Sequence, residues 1–570
     1  MKTNNRAAST KMLAGFAIVL PILVFYGFHL VYSVNIPWFD DIENIPYFLA
    51  QWLEADTWSG RIEALLRPNN EHRVVSARLI VLLHHLSTGQ INFATLNFIG
   101  NLTVLGIFLI VSRSYIQSGG SWHKLIPAAF FMFNLQFYSM TFMCIMSLQY
   151  QLIICEVFLS LYLLLKPQRW AFAFSVIISV LGTFSMGNGM MVWPTGVLLL
   201  IYVGQWQRLT AWIVVGTMAI VGYFSGYDFV QGNDEGFAYI LQHPLKILVG
   251  FLAFVGGIWD WTPRISFEKR MIVPVLGGLL VCSFFVYYVL GAISTSPQWK
   301  KILPHTLINR FLTVPYFQRT SARWLAFWIG AFVYLLINSA LVVFFRTRFD
   351  YQLVLWATYK IYPGTLMAMT SLLLIQVVRT RLQKILFAGF GMAALLSWAS
   401  SYWYFVPQVQ QDRHQRMAFA FNQQYNGVGL GAEKNSAFAK FIVNTFDRAT
   451  KNGFYQFPYP LIAPKEKEIG ALFNTPPSNT TVEIQKTGTE IQISSSEITF
   501  VKERGVFVAL KSAQRLYLFS GVSMTPWWQP QAKGFTVRFP VSVIENDTYD
   551  VGIWLPERVL NKTKVTVTIP

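Results

Sequence analysis

Long apolar segments recur along most of the chain. The stretches MLAGFAIVLPILVFYGFHLVY (12–32) and MIVPVLGGLLVCSFFVYYVLGAI (271–293) contain no Asp, Glu, Lys or Arg. Because a helix rises about 1.5 Å per residue, either stretch can cross a hydrocarbon layer of about 30 Å. With 54% hydrophobic and only 13% charged residues, the chain has more apolar surface than a soluble core needs. We therefore expect a polytopic α-helical membrane protein.

Loop charge sets the predicted topology, because cytoplasmic loops of membrane proteins are enriched in Lys and Arg. Lys2, Arg6 and Lys11 precede the first apolar run, so we place the N-terminus in the cytoplasm. The stretch 245–259 is short for a span, and a partly inserted helix there keeps the basic loop 294–323 cytoplasmic. We predict about 11 transmembrane helices plus this one short helix. The predicted spans are 12–32, 92–112, 125–137, 148–165, 170–186, 190–204, 209–225, 271–293, 324–345, 361–378 and 385–403.

The C-terminal part has a different pattern. From about Thr480 apolar and polar residues alternate as in strands, for example in FTVRFPVSVIENDTYDVGIWL. We expect an extracytoplasmic all-β sandwich, in which Trp527 and Trp528 are core or membrane-interface anchors, or else a surface on which a sugar stacks. The predicted division is 1–406, a transmembrane domain with its first outer loop at about 35–90, then 407–479, a helical connector, and 480–570, the β domain.

Two adjacent carboxylates follow the first apolar run, in PWFDDIENIPYF (37–48). Asp40 and Asp41 lie at the predicted outer membrane boundary, where a lipid-linked substrate would react. One of them could accept the proton of an acceptor hydroxyl, and the pair could hold Mg²⁺ or Mn²⁺ against a phosphate. The alternative is an N-terminal helix cap beside interfacial aromatic residues.

A second polar cluster, PNNEHR (68–73), precedes the amphipathic stretch VVSARLIVLLHHL. Arg73 and His72 are suited to binding a phosphate, and Glu71 to holding either of them. The alternative is a solvated, salt-bridged turn. Farther along, Asn188 of GNG (187–189) is a candidate hydroxyl partner or part of a tight turn, and Glu156 lies within a predicted span, where a carboxylate needs a partner.

Taken in order, FDD, PNNEHR, FSMGNGMMVWP (184–194) and RTRFDYQ (346–352) resemble motifs of bacterial polytopic glycosyltransferases of the GT-C superfamily, of the type with an Asn-Glu-His-Arg motif. The resemblance covers roughly residues 12–405. It implies an enzyme that transfers a sugar from a polyprenyl-phosphate carrier on the outer face of the bacterial inner membrane, using an acid in the first outer loop.

The resemblance, together with the chemistry of the residues, gives each candidate a role. We expect Asp41 to be the catalytic base or metal ligand, with Asp40 in support. We expect the donor phosphate to contact Arg73, His72, Glu71 and Arg348, and the substrate to contact Asn188 and Tyr351. Where the family pattern has Ser-Arg-Tyr, this chain has Thr347-Arg348-Phe349, so the arginine is kept and the tyrosine is not.

The expected partners are membrane lipids, a polyprenyl-phosphate-linked sugar, and an acceptor that is a glycan, a lipid or a protein. The net charge of +18 is explained by basic cytoplasmic loops, so we expect no nucleic acid. The chain has neither a Walker motif nor a Rossmann glycine fingerprint, which disfavours a nucleotide-dependent enzyme. The alternatives are a flippase or transporter of lipid-linked glycans and a non-catalytic scaffold for envelope assembly.

Overall fold

The structure is a computed structural model that describes residues 2–69, 72–226, 234–458, 462, 465–556 and 558–569. Helices dominate as far as Ala471, and strands follow. The α-helices are α1 Lys2–Tyr32, α2 Asp40–Ile42, α3 Phe48–Glu54, α4 Trp58–Leu66, α5 Val75–Thr88, α6 Phe93–Gln117, α7 Ile126–Met132, α8 Tyr138–Thr141, α9 Cys144–Met146, α10 Leu152–Leu164, α11 Arg169–Ser185, α12 Val192–Tyr202, α13 Trp206–Phe224, α14 Asp234–Gln242, α15 Pro244–Val255, α16 Phe267–Thr295, α17 His305–Leu312, α18 Pro315–Arg319, α19 Ala322–Arg346, α20 Ile361–Val377, α21 Thr380–Asn426, α22 Ala437–Lys451 and α23 Lys465–Ala471.

Within the described residues, 6 helices are long and apolar enough to cross a membrane, judged by length and composition. Each contains or overlaps a predicted span, and the shorter apolar helices α11, α15 and α20 also match predicted intervals. A mostly helical chain with several apolar candidate membrane helices is thus confirmed, while the number of eleven spans stays a prediction. The six are Lys11–Tyr32, Phe93–Gln117, Cys144–Leu164, Phe267–Thr295, Ala322–Arg346 and Thr380–Asn426.

Two predicted intervals form short helices. α15, at the predicted partly inserted segment, has 12 residues and is about 18 Å long, well below the thickness of the hydrocarbon layer. It packs backbone to backbone against α16, since a Cβ on Gly256 would lie 1.9 Å from the carbonyl oxygen of Pro274. Such contact through small residues is typical of packed membrane helices. In the predicted span 125–137, α7 has only 7 residues.

The helix α21 is much longer than the predicted span at 385–403. Its 47 residues extend over about 70 Å, so more than half of it lies beyond the thickness of a bilayer core. It continues through the predicted boundary at 406/407 with Pro407 inside it, and Gly427, at φ 67°, ends it in the left-handed conformation that favours glycine. The predicted membrane domain and connector therefore share one continuous helix.

The C-terminal domain consists of two antiparallel four-stranded sheets, as the alternating pattern predicted. Their strand orders are β1-β2-β6-β5 and β4-β3-β7-β8. Apolar side chains from both sheets meet in one core, to which neighbouring strand residues contribute alternately: Val508 and Leu510 face it, while Phe507 and Ala509 belong to a second core. The strands are β1 Glu483–Thr487, β2 Glu490–Val501, β3 Phe507–Lys511, β4 Leu516–Ser520, β5 Val522–Ser523, β6 Gln531–Pro540, β7 Thr548–Leu555 and β8 Arg558–Thr568.

That second core joins the β domain to the segment after α1, the predicted first outer loop. It contains apolar residues of α2 to α5, of the end of α21, of α22 and of the outer face of β3 and β7. A side chain of α21 satisfies backbone groups of the edge strand β4. The Asn422 amide accepts from the Leu518 N–H and donates to the Leu518 carbonyl, both at 2.8 Å. The β domain is thus fixed above the loop that carries the two aspartates.

The paired tryptophans of the β domain have different environments. Trp527 packs edge-on against Trp403 of α21, with 4.7 Å between ring centroids, and the Arg264 guanidinium lies 5.0 Å from its centroid. Trp528 is exposed. The packing of Trp527 against a candidate membrane helix favours the anchor interpretation over a sugar platform for that residue.

Candidate active site

The chain leaves α1, enters the predicted first outer loop and turns sharply before the two aspartates. Phe39 has a φ of 45°, outside the regions that L-residues normally adopt, and α2 begins at the next residue. A π-helical turn, Glu43–Tyr47, follows α2, and a second one, Ser147–Gln151, interrupts the run from Cys144 to Leu164. Strained residues and π-turns are costly and persist only where the surrounding structure holds them. They are frequent at functional sites.

Asp41 is buried and joins two segments of the backbone. Its Oδ2 accepts from the Trp38 N–H at 2.9 Å and its Oδ1 from the Ile145 N–H at 2.7 Å. The second bond satisfies an N–H at the beginning of a helix, where a carboxylate is favoured. Burial raises the pKa of Asp41 to about 6, although the two N–H groups and the charge of Arg416 oppose that rise. Asp41 therefore fixes the loop to the helix that begins at Cys144.

We expect the free energy of unfolding to depend on pH through the titration of Asp41. Its pKa in the folded chain, about 6, exceeds the ordinary 3.8, so protonation favours folding. The stabilisation is present below about pH 4 and is lost as the pH rises through about 6, with an amplitude of about 3 kcal/mol. Thermal unfolding of wild type and Asp41→Asn between pH 4 and 7 measures it. A difference between the two that does not change with pH would contradict this assignment.

Asp40 differs from its neighbours in its hydrogen bonds. Glu43 uses both carboxylate oxygens, with Arg67 at 2.5 Å and Asn69 at 2.8 Å, and Asp41 uses both of its own. Among the described residues, none donates a hydrogen bond to the half-buried Asp40 carboxylate. Burial raises the pKa of Asp40, and the nearby Glu43 charge raises it further. Of the three carboxylates, Asp40 is the one whose oxygens remain available to a substrate.

Three tyrosines, which we call the tyrosine cluster (Tyr150, Tyr359 and Tyr362), lie close to one another, and one of them, Tyr150, is near enough to Asp40 to be affected by its charge. The Tyr150 and Tyr359 rings meet edge to face at 6.0 Å, and Tyr362 is one turn farther along the chain. The charges of Asp40 and Arg346 both act on the Tyr150 hydroxyl, and Arg346 also acts on Tyr359. The charges of a carboxylate and a guanidinium thus both reach Tyr150.

The tyrosine cluster also connects Asp40 to the second sequence motif. The Asn188 amide donates to the Tyr362 hydroxyl at 3.1 Å, and the neighbouring Gly187 N–H donates to His72 Nδ1 at 3.2 Å. The Asn188 Oδ1 is buried without a hydrogen-bond partner among the described residues. The structure therefore brings His72 and the GNG segment together and links them to Asp40 indirectly, through the tyrosine cluster. Glu71, the remaining member of its motif, lies outside the described residues.

Arg73 is buried and binds backbone carbonyls. Its guanidinium donates to Tyr223 O at 2.8 Å, to Leu66 O at 2.8 Å and to Ser225 O at 2.6 Å. The next residue, Val74, has a φ of 48°, which is exceptional for a β-branched side chain. Arg73 therefore holds the turn before α5 against the end of α13. Its predicted phosphate contact stays a prediction.

Replacement of Arg73 by Ala should destabilise the protein by about 3 kcal/mol or more, because it leaves three carbonyls without their charged donor. Arg61→Ala is the matched control, since the contact of that guanidinium is with the Trp58 ring, 5.2 Å away. Thermal unfolding of both variants gives the comparison. An Arg73→Ala protein that unfolds like wild type but no longer transfers sugar from a polyprenyl-phosphate carrier would instead support the predicted phosphate contact.

The two remaining predicted substrate residues have other contacts. The Arg348 guanidinium lies 4.5 Å from the centroid of the Phe349 ring. The Tyr351 hydroxyl donates to Lys246 O at 2.9 Å, and its ring packs against Gly250 of α15. The arginine that acts on the tyrosine cluster is Arg346, at the end of α19 and two positions before Arg348.

Glu156, the carboxylate within a candidate span, has a hydrogen-bond partner in α5. Its Oε1 accepts from the Ser76 hydroxyl at 2.7 Å, and Ser185 donates to Ser76 at 2.5 Å. Its Oε2 has no hydrogen-bond partner among the described residues. The three side chains connect α5, α10 and α11, so Glu156 helps to hold these three helices together.

Both Asp41 oxygens accept a backbone N–H group, and the divalent cation predicted for Asp40 and Asp41 stays a prediction. In the part of the chain that is described, no group of three or more His, Cys, Asp and Glu side chains could hold a metal ion. We derive no step through a metal.

Comparisons with protein-family models, with curated proteins and with solved structures give no match. The site residues that the sequence did not single out are Tyr150, Arg346, Tyr359 and Tyr362. For Arg346 a signal was present, since RTR offers two arginines and the first ends an apolar helix. Tyr150 and Tyr359 had no local signal, because only the packing of distant helices brings them to Asp40.

Proposed function

We propose that the chain is an integral-membrane glycosyltransferase of the GT-C type, which moves a sugar from a polyprenyl-phosphate carrier to an acceptor on the outer face of a bacterial inner membrane. The observation that carries the proposal is the half-buried Asp40 carboxylate, which accepts no hydrogen bond from a described residue, together with Tyr150, which the charges of both Asp40 and Arg346 reach. A base and a cation in one place are what sugar transfer from a phosphate requires. The order of the sequence motifs supports the same reaction.

In the proposed reaction the acceptor hydroxyl attacks the anomeric carbon of the sugar. Asp40 takes the hydroxyl proton as the new carbon–oxygen bond forms. The bond between the anomeric carbon and the phosphate oxygen breaks, and its electron pair leaves with the polyprenyl phosphate. Arg346 meets the negative charge that develops on that phosphate, and the hydroxyls of Tyr150 and Tyr359 are proposed to donate to it.

The other residues of the site have supporting roles in this proposal. Asp41 positions Asp40 by fixing the loop to Ile145, and Arg73 positions His72 by fixing the turn before α5. His72 and Asn188 lie beyond the tyrosine cluster and are proposed to contact the sugar or its phosphate. The acceptor is a glycan, a lipid or a protein in the cell envelope.

Envelope glycan analysis tests the proposed function. A deletion strain complemented with the wild-type chain should regain one sugar substituent, and the same strain complemented with Asp40→Asn should not. Accumulation of a lipid-linked sugar confined to the cytoplasmic leaflet would instead indicate a flippase. Glycans that are identical in all strains would remove the enzymatic proposal.

A further inference from the structure

A large cavity opens at the end of the helical bundle opposite to Asp40. Its volume is about 1020 Å³, and the end of α6, the segment α17–α18 and the turn between α20 and α21 enclose it. α6 begins at the outer loop, where the Phe93 N–H donates to Asn35, and its 25 residues extend about 37 Å from there. α20 begins beside Tyr359 and also ends at the cavity. The cavity therefore opens on the opposite face of the membrane domain from the candidate active site.

The charge around this cavity has one sign. The described residues that line it include Lys124, Arg310, Arg319 and Arg379 and no Asp or Glu. A general excess of basic residues in cytoplasmic loops explains that such residues occur on this face. It does not explain why three separate loop segments place basic side chains around one concave space, where they repel each other unless an anion is bound.

A buried hydrogen-bond donor lies in the wall of the cavity. Tyr115, at the end of α6, is fully buried and lines the cavity, and its hydroxyl has no hydrogen-bond partner among the described residues. Gly120 lets the chain pass close to this ring, since a Cβ there would lie 2.4 Å from it. Lys124 is held in place by donating to Gln383 at 2.8 Å. A buried donor beside several cations suits an anion with several acceptor oxygens.

Apolar side chains flank the cavity where the helices would meet lipid. Ile116, Leu312 and Leu382 are 46%, 42% and 49% exposed, and Leu382 also lines the cavity. A dissolved phosphate gains nothing from such neighbours. A lipid gains from both parts, because its phosphate meets the cations while its chains cover the apolar side chains.

From this arrangement we infer that the cavity binds the phosphate headgroup of an anionic lipid from the adjacent leaflet. Arg310 approaches it from α17 and Arg379 from the turn between α20 and α21, and each can bind phosphate oxygens through two N–H groups. The inference uses no part of the glycosyltransferase proposal, since its residues lie at the other end of the bundle.

The test is native mass spectrometry of the full-length chain, purified in a non-ionic detergent and offered equal amounts of phosphatidylglycerol and phosphatidylcholine. Wild type should retain phosphatidylglycerol with a preference of about 10-fold or more. Arg310→Gln combined with Arg379→Gln should remove most of that preference. The matched control is Arg381→Gln combined with Lys384→Gln, which removes two exposed charges beside the cavity and should change the preference less than about twofold.

Three results would overturn the inference. They are a wild type without preference, equal losses in the two double variants, and complete displacement of phosphatidylglycerol by excess inorganic phosphate, which would assign the cavity to the dissolved anion. If the Arg310 and Arg379 variant does not fold, Tyr115→Phe gives the answer, because it removes one hydroxyl and keeps the ring. That variant should lower the preference about threefold, and an unchanged preference would again overturn the inference.

Discussion

Asp40→Asn should lower sugar transfer by about 100-fold or more and leave the protein folded. The asparagine keeps the size of the side chain but cannot accept the proton of the acceptor hydroxyl at neutral pH. Since no described residue donates to the Asp40 carboxylate, its replacement breaks no hydrogen bond between that group and the described residues. The measurement is transfer from a purified polyprenyl-phosphate sugar, with thermal unfolding of the same preparation. Asp56→Asn, an exposed carboxylate of the same loop, is the matched control.

The pH dependence of transfer gives a second measurement on the same residue. Transfer requires ionised Asp40, so the rate should fall as the pH decreases through its pKa. Burial and the Glu43 charge raise that pKa above the ordinary 3.8, which places the fall at a higher pH than for an exposed aspartate. Glu43→Gln removes the repulsion and should shift the fall to lower pH. Near-normal transfer by Asp40→Asn, or a fall that Glu43→Gln does not shift, would end the role of Asp40 as base.

The membrane helices could be predicted from the sequence because the hydrocarbon layer imposes a length on them. The predicted spans 271–293 and 324–345 lie inside α16 and α19, whose ends extend a few residues farther. The boundary near 406/407 could not be predicted in the same way. Outside the membrane a polar stretch can continue a helix or end it, and the contacts of Asn422 with β4 help to decide that α21 continues.

At the candidate site, the local sequence pattern is not sufficient to assign a role to each residue. Adjacent aspartates on a helix point in different directions, so the sequence indicates unequal roles for Asp40 and Asp41 but does not assign them. The assignment depends on the Ile145 N–H, 104 positions away from Asp41. The expectation that Asp41 is the base is untested, and we prefer Asp40 because of these hydrogen bonds. His72 and Asn188 could be selected as site residues from the sequence motifs. Tyr150 and Tyr359 could be selected only from the tertiary structure.

Arg346→Ala should reduce transfer by about 100-fold to 1000-fold, because the phosphate then leaves without its cation. The contact strengthens as negative charge develops, so kcat should fall more than the KM for the donor rises. Arg346→Lys should recover only part of the rate, since a lysine cannot reproduce a bidentate contact. Donor-dependent kinetics of both variants, with thermal unfolding as the folding control, give these values.

Arg348→Ala is the sharpest comparison, since it removes the same side chain two positions away in the same RTR segment. The Arg348 guanidinium packs on the exposed Phe349 ring, whereas the Arg346 charge acts on Tyr150 and Tyr359 beside Asp40. We therefore expect Arg348→Ala to change transfer less than about 10-fold. If Arg348→Ala is instead the more damaging replacement, the phosphate contact belongs to Arg348, as the sequence motif alone predicts. The tyrosine cluster would then be packing around Asp40 rather than part of the donor site.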